Sequence, residues 1–394
     1  MENNDVKEKI RLWDSPGIMS PQIATVLASY NCTASCTHCC FDSHPGIKTR
    51  LELAEIIKFI DSARQFDTMK LIVFSGGECF LLGDDLTRAV EHATGLGLRT
   101  RCVTNGYWAR TEESAMRRLS DLKAAGLCEL NISTGDHHQK YVPQRLVING
   151  VLASVKLDIP IVVMIELQKE RRVTDAGIRS DRRIVDLLKT PAGKLFRTVE
   201  SPWMPMSAEE VIPQQRGRLI NNSNVHKRRG CRSVLTTIVA TPTGDVGVCC
   251  GLTRERIPEL HLQMSANRSL QEAYAQATSD FMNIWLFVEG PERILAWAAS
   301  KDPAIDWENK YAHHCHACLA VFDNERVRAI IREHYHEKVN EVLVKYILIK
   351  KSGSVLAPDL ELSSSSTPTP ETEFQAAEPA IVRHRTIPIL AASQ

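Results

Sequence analysis

The chain has 394 residues, a length that suits two domains, or three at most. Its 43% hydrophobic and 24% charged residues can build a buried globular core. Lys plus Arg numbers 48 and Asp plus Glu 47, a formal charge of +1 that argues against a protein that works by coating nucleic acid or anionic lipid.

Met1 to Trp13 is mixed polar and charged, without the basic start and apolar run of a secretory signal. The most apolar stretch, Ile159 to Leu167, is far short of the roughly 20 residues a membrane helix needs. A cytoplasmic setting is therefore expected, in which the 12 cysteines stay reduced and grouped ones act as metal ligands or reactive thiols.

Along the chain, Gln22 to Ser29 has the pattern of a buried strand and Leu51 to Arg64 that of a helix. Lys70 to Phe74 is a second strand, ending in Ser-Gly-Gly-Glu, and Asp84 to Thr94 a helix. Leu98 to Thr104 is a third strand, ending at Asn105-Gly106, and Glu112 to Ala125 a helix. Glu129 to Ser133 and Ile159 to Glu166 are further strands, and Lys194 to Val199 is a weaker sixth. Such β-α alternation predicts an α/β fold with a parallel sheet or barrel.

The pattern changes near Gln214, where a polar, basic, Gly- and Asn-containing stretch reads as a linker over 214–230. Val234 to Ala240 and Val246 to Cys250 then flank the turn residues Pro242-Thr243-Gly244-Asp245, as in a β-hairpin. Helical segments are expected over Ser269 to Ala277, near Glu292 to Ser300, and from Asn324 to Tyr346. Residues 351–394 turn into Ser, Thr, Pro and Glu, a composition expected to stay disordered.

Chemistry concentrates in the cysteines. Cys32, Cys36 and Cys39 form C-x3-C-x2-C directly after the first strand. A structural zinc site takes four closed ligands, whereas a [4Fe-4S] cluster held by three thiolates leaves one iron open. Ser75-Gly76-Gly77-Glu78 follows the second strand. Its glycines let the backbone approach a ligand closely, and its carboxylate can accept from an ammonium.

With these two motifs the sequence resembles the radical S-adenosylmethionine superfamily. The resemblance covers about Pro21 to Met206 and implies a partial (β/α)6 barrel over residues 21–213, after an N-terminal segment 1–20. It implies that Cys32, Cys36 and Cys39 hold the open-iron cluster and that Ser75, Gly76, Gly77 and Glu78 hold the methionine amine of S-adenosylmethionine. Thr104, Asn105, Ser133 and Asp136 are implied in the same pocket. His38 departs from the family, many of whose members carry an aromatic residue before the third cysteine. The implied chemistry is one-electron cleavage of S-adenosylmethionine to a 5′-deoxyadenosyl radical, which takes hydrogen from a substrate.

A second constellation comprises Cys231, Gly244, Cys249 and the pair Cys315 and Cys318. By spacing alone, a four-cysteine zinc site fits as well. Downstream of such a core it resembles the SPASM/twitch extension, which implies a small α+β domain over 231–350 with one auxiliary iron–sulfur cluster of the [4Fe-4S] type. Asn324 stands where a full SPASM domain would place its next cysteine, so the shorter twitch form is expected. The tandem Cys249-Cys250 leaves a one-residue ambiguity, with Cys249 favoured by the Gly-x4-Cys register.

Of the remaining cysteines, Cys102 and Cys128 read as core residues, while Cys40 and Cys79 lie beside the cofactor motifs. Asp136-His137-His138-Gln139-Lys140-Tyr141 follows the fourth strand; it is either a polar surface loop or a substrate-contacting rim. His137, His138, Tyr141 and Cys79 are therefore the catalytic candidates. His313, His314 and His316, around Cys315, read as surface histidines before second-layer or alternative ligands. One of Lys169, Arg171 and Arg172 could pair with the cofactor carboxylate.

The expected function is radical modification of a ribosomally made peptide, giving a thioether, a carbon–carbon crosslink or an epimerised residue. A small-molecule substrate of aminocyclitol type is the rival, and a non-catalytic iron–sulfur or zinc protein the remote alternative. Expected partners are the substrate and an electron donor such as flavodoxin or ferredoxin. With only residues 1–20 ahead of the core, a separate leader-peptide-binding protein is also expected, unless the twitch domain serves.

Overall fold

A computed structural model describes residues 20–352, apart from His38, Arg216, Ala266 and the side chains of 350–352. The expected disordered tail and most of the N-terminal segment lie outside the described residues. Six parallel strands follow one another in chain order: β1 Ile23–Leu27, β2 Leu71–Ser75, β3 Arg99–Thr104, β4 Glu129–Thr134, β5 Ile161–Leu167 and β6 Phe196–Pro202. Parallel neighbours need crossovers, and helices supply them: α1 Leu53–Arg64, α2 Asp84–Gly95, α3 Glu112–Ala124 and α4 Gln144–Lys156. The short helices α5 Asp175–Arg179 and α6 Arg182–Leu188 cross between β5 and β6.

Leu71 to Phe74 are all buried, as a strand covered on both faces requires. The covering helices turn one apolar face inward; α1 buries Ile56, Phe59, Ile60 and Ala63. Its start is marked by the Glu55 carboxylate, which accepts from the Glu52 backbone N–H at 2.8 Å. Helix α4, which the sequence pattern does not announce, buries Leu146 to Val151 and Ala153 to Val155, too much of its circumference for a clean stripe.

The sheet does not end at β1. The hairpin, shorter than the sequence suggests, consists of β7 Thr237–Ala240 and β8 Val246–Gly247. Strand β7 pairs in parallel with β1, Ile23 opposite Thr237, and β8 pairs antiparallel with β7. The order is therefore β6-β5-β4-β3-β2-β1-β7-β8, an open sheet and hence an incomplete barrel. The second cysteine region thus continues the core sheet through its hairpin.

The rest is helical: α7 Leu270–Ala277, α8 Phe281–Val288, α9 Pro291–Lys301, α10 His314–Asp323, α11 Glu325–His334 and α12 His336–Ser352. The sequence pattern suggests one helix from Asn324 to Tyr346, but the chain breaks it at Tyr335. Asn324 caps α11: its Oδ1 accepts from the N–H groups of Arg326 and Val327 at 3.0 and 3.2 Å. No helix among the described residues is long and apolar enough to cross a membrane.

Candidate functional site at the strand ends

The C-terminal ends of β1 to β5 converge, where a barrel of this kind assembles its chemistry. After β1 the chain turns into the cysteine loop. Burial lifts the Cys32 thiol to about 11 and the Cys36 thiol to about 12, and both are raised further by Cys39 nearby. Cys39 is held down at about 6, first by a hydrogen bond from Cys40. Among the described residues, no three His, Cys, Asp or Glu side chains converge tightly enough for a single metal ion. The three thiols nonetheless lie within electrostatic reach of one another, all reduced. A polynuclear cluster needs its sulfurs spread more widely than a lone ion does, and this all-thiolate set suits iron and sulfide.

The Gly-Gly-Glu turn after β2 packs directly against that loop. A Cβ on Gly76 would lie 2.5 Å from the Ser29 carbonyl oxygen, and one on Gly77 2.3 Å from that of Asn31. The Gly77 N–H donates to Ser29 O at 2.6 Å. Sequence reasoning assigns these glycines to close approach of a ligand; in the structure they admit the backbone that leads into Cys32.

Glu78 is the hub. Its Oε1 accepts from Phe80 N–H at 3.0 Å and from Thr104 Oγ1 at 2.7 Å, and its Oε2 accepts from Asn105 N–H at 2.8 Å. The Asn105 side chain donates to Cys32 Sγ at 3.5 Å and to Thr33 Oγ1 at 3.1 Å. The motifs after β1, β2 and β3 are thereby joined in one buried network. Ser75 and Ser133 sit half-buried at the ends of β2 and β4.

The loop after β4 is organised by a residue the sequence does not flag. Glu166, buried on β5, accepts from the His137 backbone N–H at 3.2 Å and pairs with Nδ1 of His138. The His137 ring stacks on Trp203, with centroids 5.0 Å apart. Tyr141 donates to the Ser35 carbonyl at 2.6 Å, fastening this loop to the cysteine loop. The catalytic candidates His137, His138 and Tyr141 thus share one rim.

Two candidates face elsewhere. Cys79 is fully buried, its Sγ donates to Val103 O at 3.2 Å, and burial pushes its thiol far up, so it is a core residue. Asp136 accepts from the backbone N–H groups of Arg172 and Val173 at 3.0 and 2.8 Å, which fixes the loop after β5. In that loop Arg171 pairs with Glu200 at 2.7 Å, while the Arg172 side chain is exposed.

The second cysteine set gathers around α10, whose first turns carry Cys315 and Cys318. A Cβ built on Gly251 would lie 3.4 Å from both Cys249 Sγ and Cys315 Sγ, so those sulfurs face one another across it. Cys231 is close enough to raise the thiols of Cys249, Cys315 and Cys318. Four thiols on three segments meet the donor chemistry of a metal–sulfur site. Cys250 is exposed and 3.4 Å from Ser233 Oγ.

Of the three histidines around Cys315, His316 is buried and His313 and His314 are half-buried. His313 caps α10, its Nδ1 accepting from Cys315 N–H at 3.1 Å. His316 is buried, with Nε2 2.9 Å from Ser207 O. His314 pairs through Nδ1 with the buried Glu292 at 2.7 Å. Burial alone would lower the His314 ring, but Cys231 and Glu292 raise it to about 10. The signal in the sequence was faint, since Glu292 lies far from Cys315 along the chain.

The two sets are neighbours. Asp42, beyond the first cysteines, pairs with Arg256 at 2.9 Å, and burial together with Glu255 lifts the Tyr30 hydroxyl to about 12. Cys40 lies within electrostatic reach of both Cys39 and Cys315.

Residues 26–145 match the family model described as Radical SAM superfamily. Among curated proteins, the chain is 28% identical over 141 residues to "Putative peptide biosynthesis protein YydG" of Bacillus subtilis (strain 168). That stretch is 36% of this chain and 44% of the relative, so the chain spans less than half the length of that protein. Among solved structures, native anSMEcpe with bound AdoMet and Cp18Cys peptide is 13% identical, with 83% of this chain and 100% of that one covered at a TM-score of 0.47. BtrN in complex with AdoMet and 2-DOIA is 12% identical, with 69% and 89% covered at a TM-score of 0.41. Streptococcus suis SuiB bound to S-adenosylmethionine is 13% identical, with 68% and 66% covered at a TM-score of 0.36.

Proposed function

We propose that this chain, which carries a radical S-adenosylmethionine domain, is an enzyme that reductively cleaves S-adenosylmethionine and takes hydrogen from a peptide substrate. The observation that carries this is the buried network through Glu78, which ties the three-cysteine loop to the turns after β2 and β3. When bound, the open-iron cluster and S-adenosylmethionine would supply one-electron, hydrogen-abstracting chemistry.

The residues of the chain have assigned parts. Cys32, Cys36 and Cys39 hold the cluster. The turn Ser75 to Glu78, with Thr104, Asn105 and Ser133, lines the pocket for S-adenosylmethionine. Asp136 acts from behind, by fixing the loop after β5. On the rim, His138 is held by Glu166 in the manner of an acid–base group and can move a proton at its free ring nitrogen. Cys231, Cys249, Cys315 and Cys318 hold an auxiliary [4Fe-4S] cluster, with the exposed Cys250 left out. In domain terms, 21–213 is the core, 214–230 the linker and 231–350 the auxiliary region.

The peptide substrate draws support from the relative described as a peptide biosynthesis protein. A thioether, a carbon–carbon crosslink and an epimerised residue are the product types in view. Electrons would come from flavodoxin or ferredoxin, and a separate protein would present the leader peptide.

The test is anaerobic reconstitution with reductant and S-adenosylmethionine. The full chain should form 5′-deoxyadenosine. Replacing Cys32, Cys36 and Cys39 by Ala should abolish it and leave about four iron atoms per chain, the content of one [4Fe-4S] cluster. No 5′-deoxyadenosine from chains with full iron and sulfide would sink the proposal.

A further inference from the structure

The Thr104 hydroxyl is buried at the end of β3 and meets three groups of the chain. Its Oγ1 accepts from the indole Nε1–H of Trp108 at 3.0 Å and from the Gly106 backbone N–H at 3.1 Å. It lies 2.7 Å from Oε1 of Glu78. A hydroxyl has two lone pairs and one proton. Both lone pairs are taken by N–H groups, which cannot accept, so the proton goes to Glu78. Donation into the hydroxyl oxygen also makes that proton the better donor, as in any chain of hydrogen bonds.

The half-buried indole is itself held. Its ring lies flat on Phe80, with centroids 4.6 Å apart and planes 8° from parallel. Phe80 is buried in the turn after Glu78, and its own N–H donates to Glu78 Oε1 at 3.0 Å. Arg118 of α3 sits over the Phe80 ring at 5.5 Å and donates to the Gly83 carbonyl at 2.7 Å. A stack that reaches from α3 to the turn after β2 thus presents one N–H to Thr104. On the carboxylate, Oε1 receives Phe80 and Thr104, whereas Oε2 receives the Asn105 N–H at 2.8 Å.

We propose that Trp108 is a positioning residue for S-adenosylmethionine: through Thr104 it ties down Oε1 of Glu78, so that Oε2 is the oxygen offered to the methionine ammonium. This rests on reading Glu78 as the acceptor of that ammonium. Trp108 acts only through Thr104.

The test is the affinity of the reconstituted full chain for S-adenosylmethionine, by equilibrium dialysis without reductant, so that binding is read apart from cleavage. Trp108→Phe keeps a ring on Phe80 and removes the N–H. It should bind roughly threefold to tenfold more weakly at unchanged iron content, the effect of one hydrogen bond. Thr104→Val should lose at least about tenfold, and Thr104→Ser, which keeps the hydroxyl, should recover most of it. The decisive reading is the pair: in the Thr104→Val chain, Trp108→Phe should cost nothing further, because its route to Glu78 is already cut. Equal affinity of Trp108→Phe and wild type would overturn the proposal, as would losses that multiply in the double variant. Should Trp108→Phe fail to fold, Phe80→Leu keeps every hydrogen-bonding group and loosens the indole. It should weaken binding in the wild-type chain and not in the Thr104→Val chain; the same loss in both would overturn the proposal. A wild-type chain that takes up iron and sulfide but binds no S-adenosylmethionine would sink the functional reading itself, and this proposal with it.

Discussion

Glu78 is 1% exposed, yet three donors reach its carboxylate. Burial lifts it to about 7, against the hydrogen bonds from Asn105, Thr104 and Phe80 that favour its charge. A carboxyl with a raised folded pKa binds its proton more tightly in the native state than in the unfolded one. Its contribution to stability is therefore most favourable below the unfolded value of about 4.3 and declines as pH rises toward about 7. Urea midpoints of Glu78→Gln should lack this decline, so the difference from wild type should change between about pH 4.5 and about pH 7. At the neighbouring turn, Gly77→Ala would drive a Cβ into the Asn31 carbonyl, and backbone cannot step aside as a flexible side chain can. The expected cost is roughly 1–3 kcal/mol, with about four iron atoms per chain lost, read by denaturation and iron analysis.

Among the elements, β1 to β5 were legible because short apolar runs end in residues with special chemistry: Cys32, Gly76-Gly77-Glu78, Asn105-Gly106. Helices α4 and α8 were not, since they are apolar on nearly every side and offer no amphipathic stripe. No Gly or Pro marks the break at Tyr335, so the sequence pattern runs through it as one helix. Long-range partners were equally hidden. Glu166 and Glu292 are ordinary acidic residues until the fold sets them beside His138 and His314. The sequence shows Asn324 only as a cysteine not present, whereas in the fold it opens α11. Asn324→Ala should lower stability by about 1 kcal/mol, measured as a denaturation midpoint, and leave both cysteine sites loaded with iron.

For the whole molecule, the spacing of the cysteines marks two groups, but nothing in it foretells how closely the fold ties them together. The bond is the pairing of β7 with β1, backed by Phe66 edge-on to Tyr274 at 5.2 Å and by Gln271, whose Nε2 donates to Ser62 O at 2.8 Å. A chain ended after residue 230 would bare the outer edge of β1 and strip α1 of these contacts. Such a fragment should be insoluble or only partly folded, by circular dichroism and sedimentation. A soluble, cooperatively melting fragment would instead make 21–213 an independent domain.

The β1–β7 pairing also sets an order of events during synthesis. Ile23 and Thr237 are neighbours in space although the entire run of core strands separates them in the chain. On the ribosome, the first strand emerges long before its outer partner exists, and closing so long a loop is slow. Until then the nascent chain holds out a bare, apolar rim beside unfilled thiols, a window in which chaperones and the machinery that loads iron would both have to act.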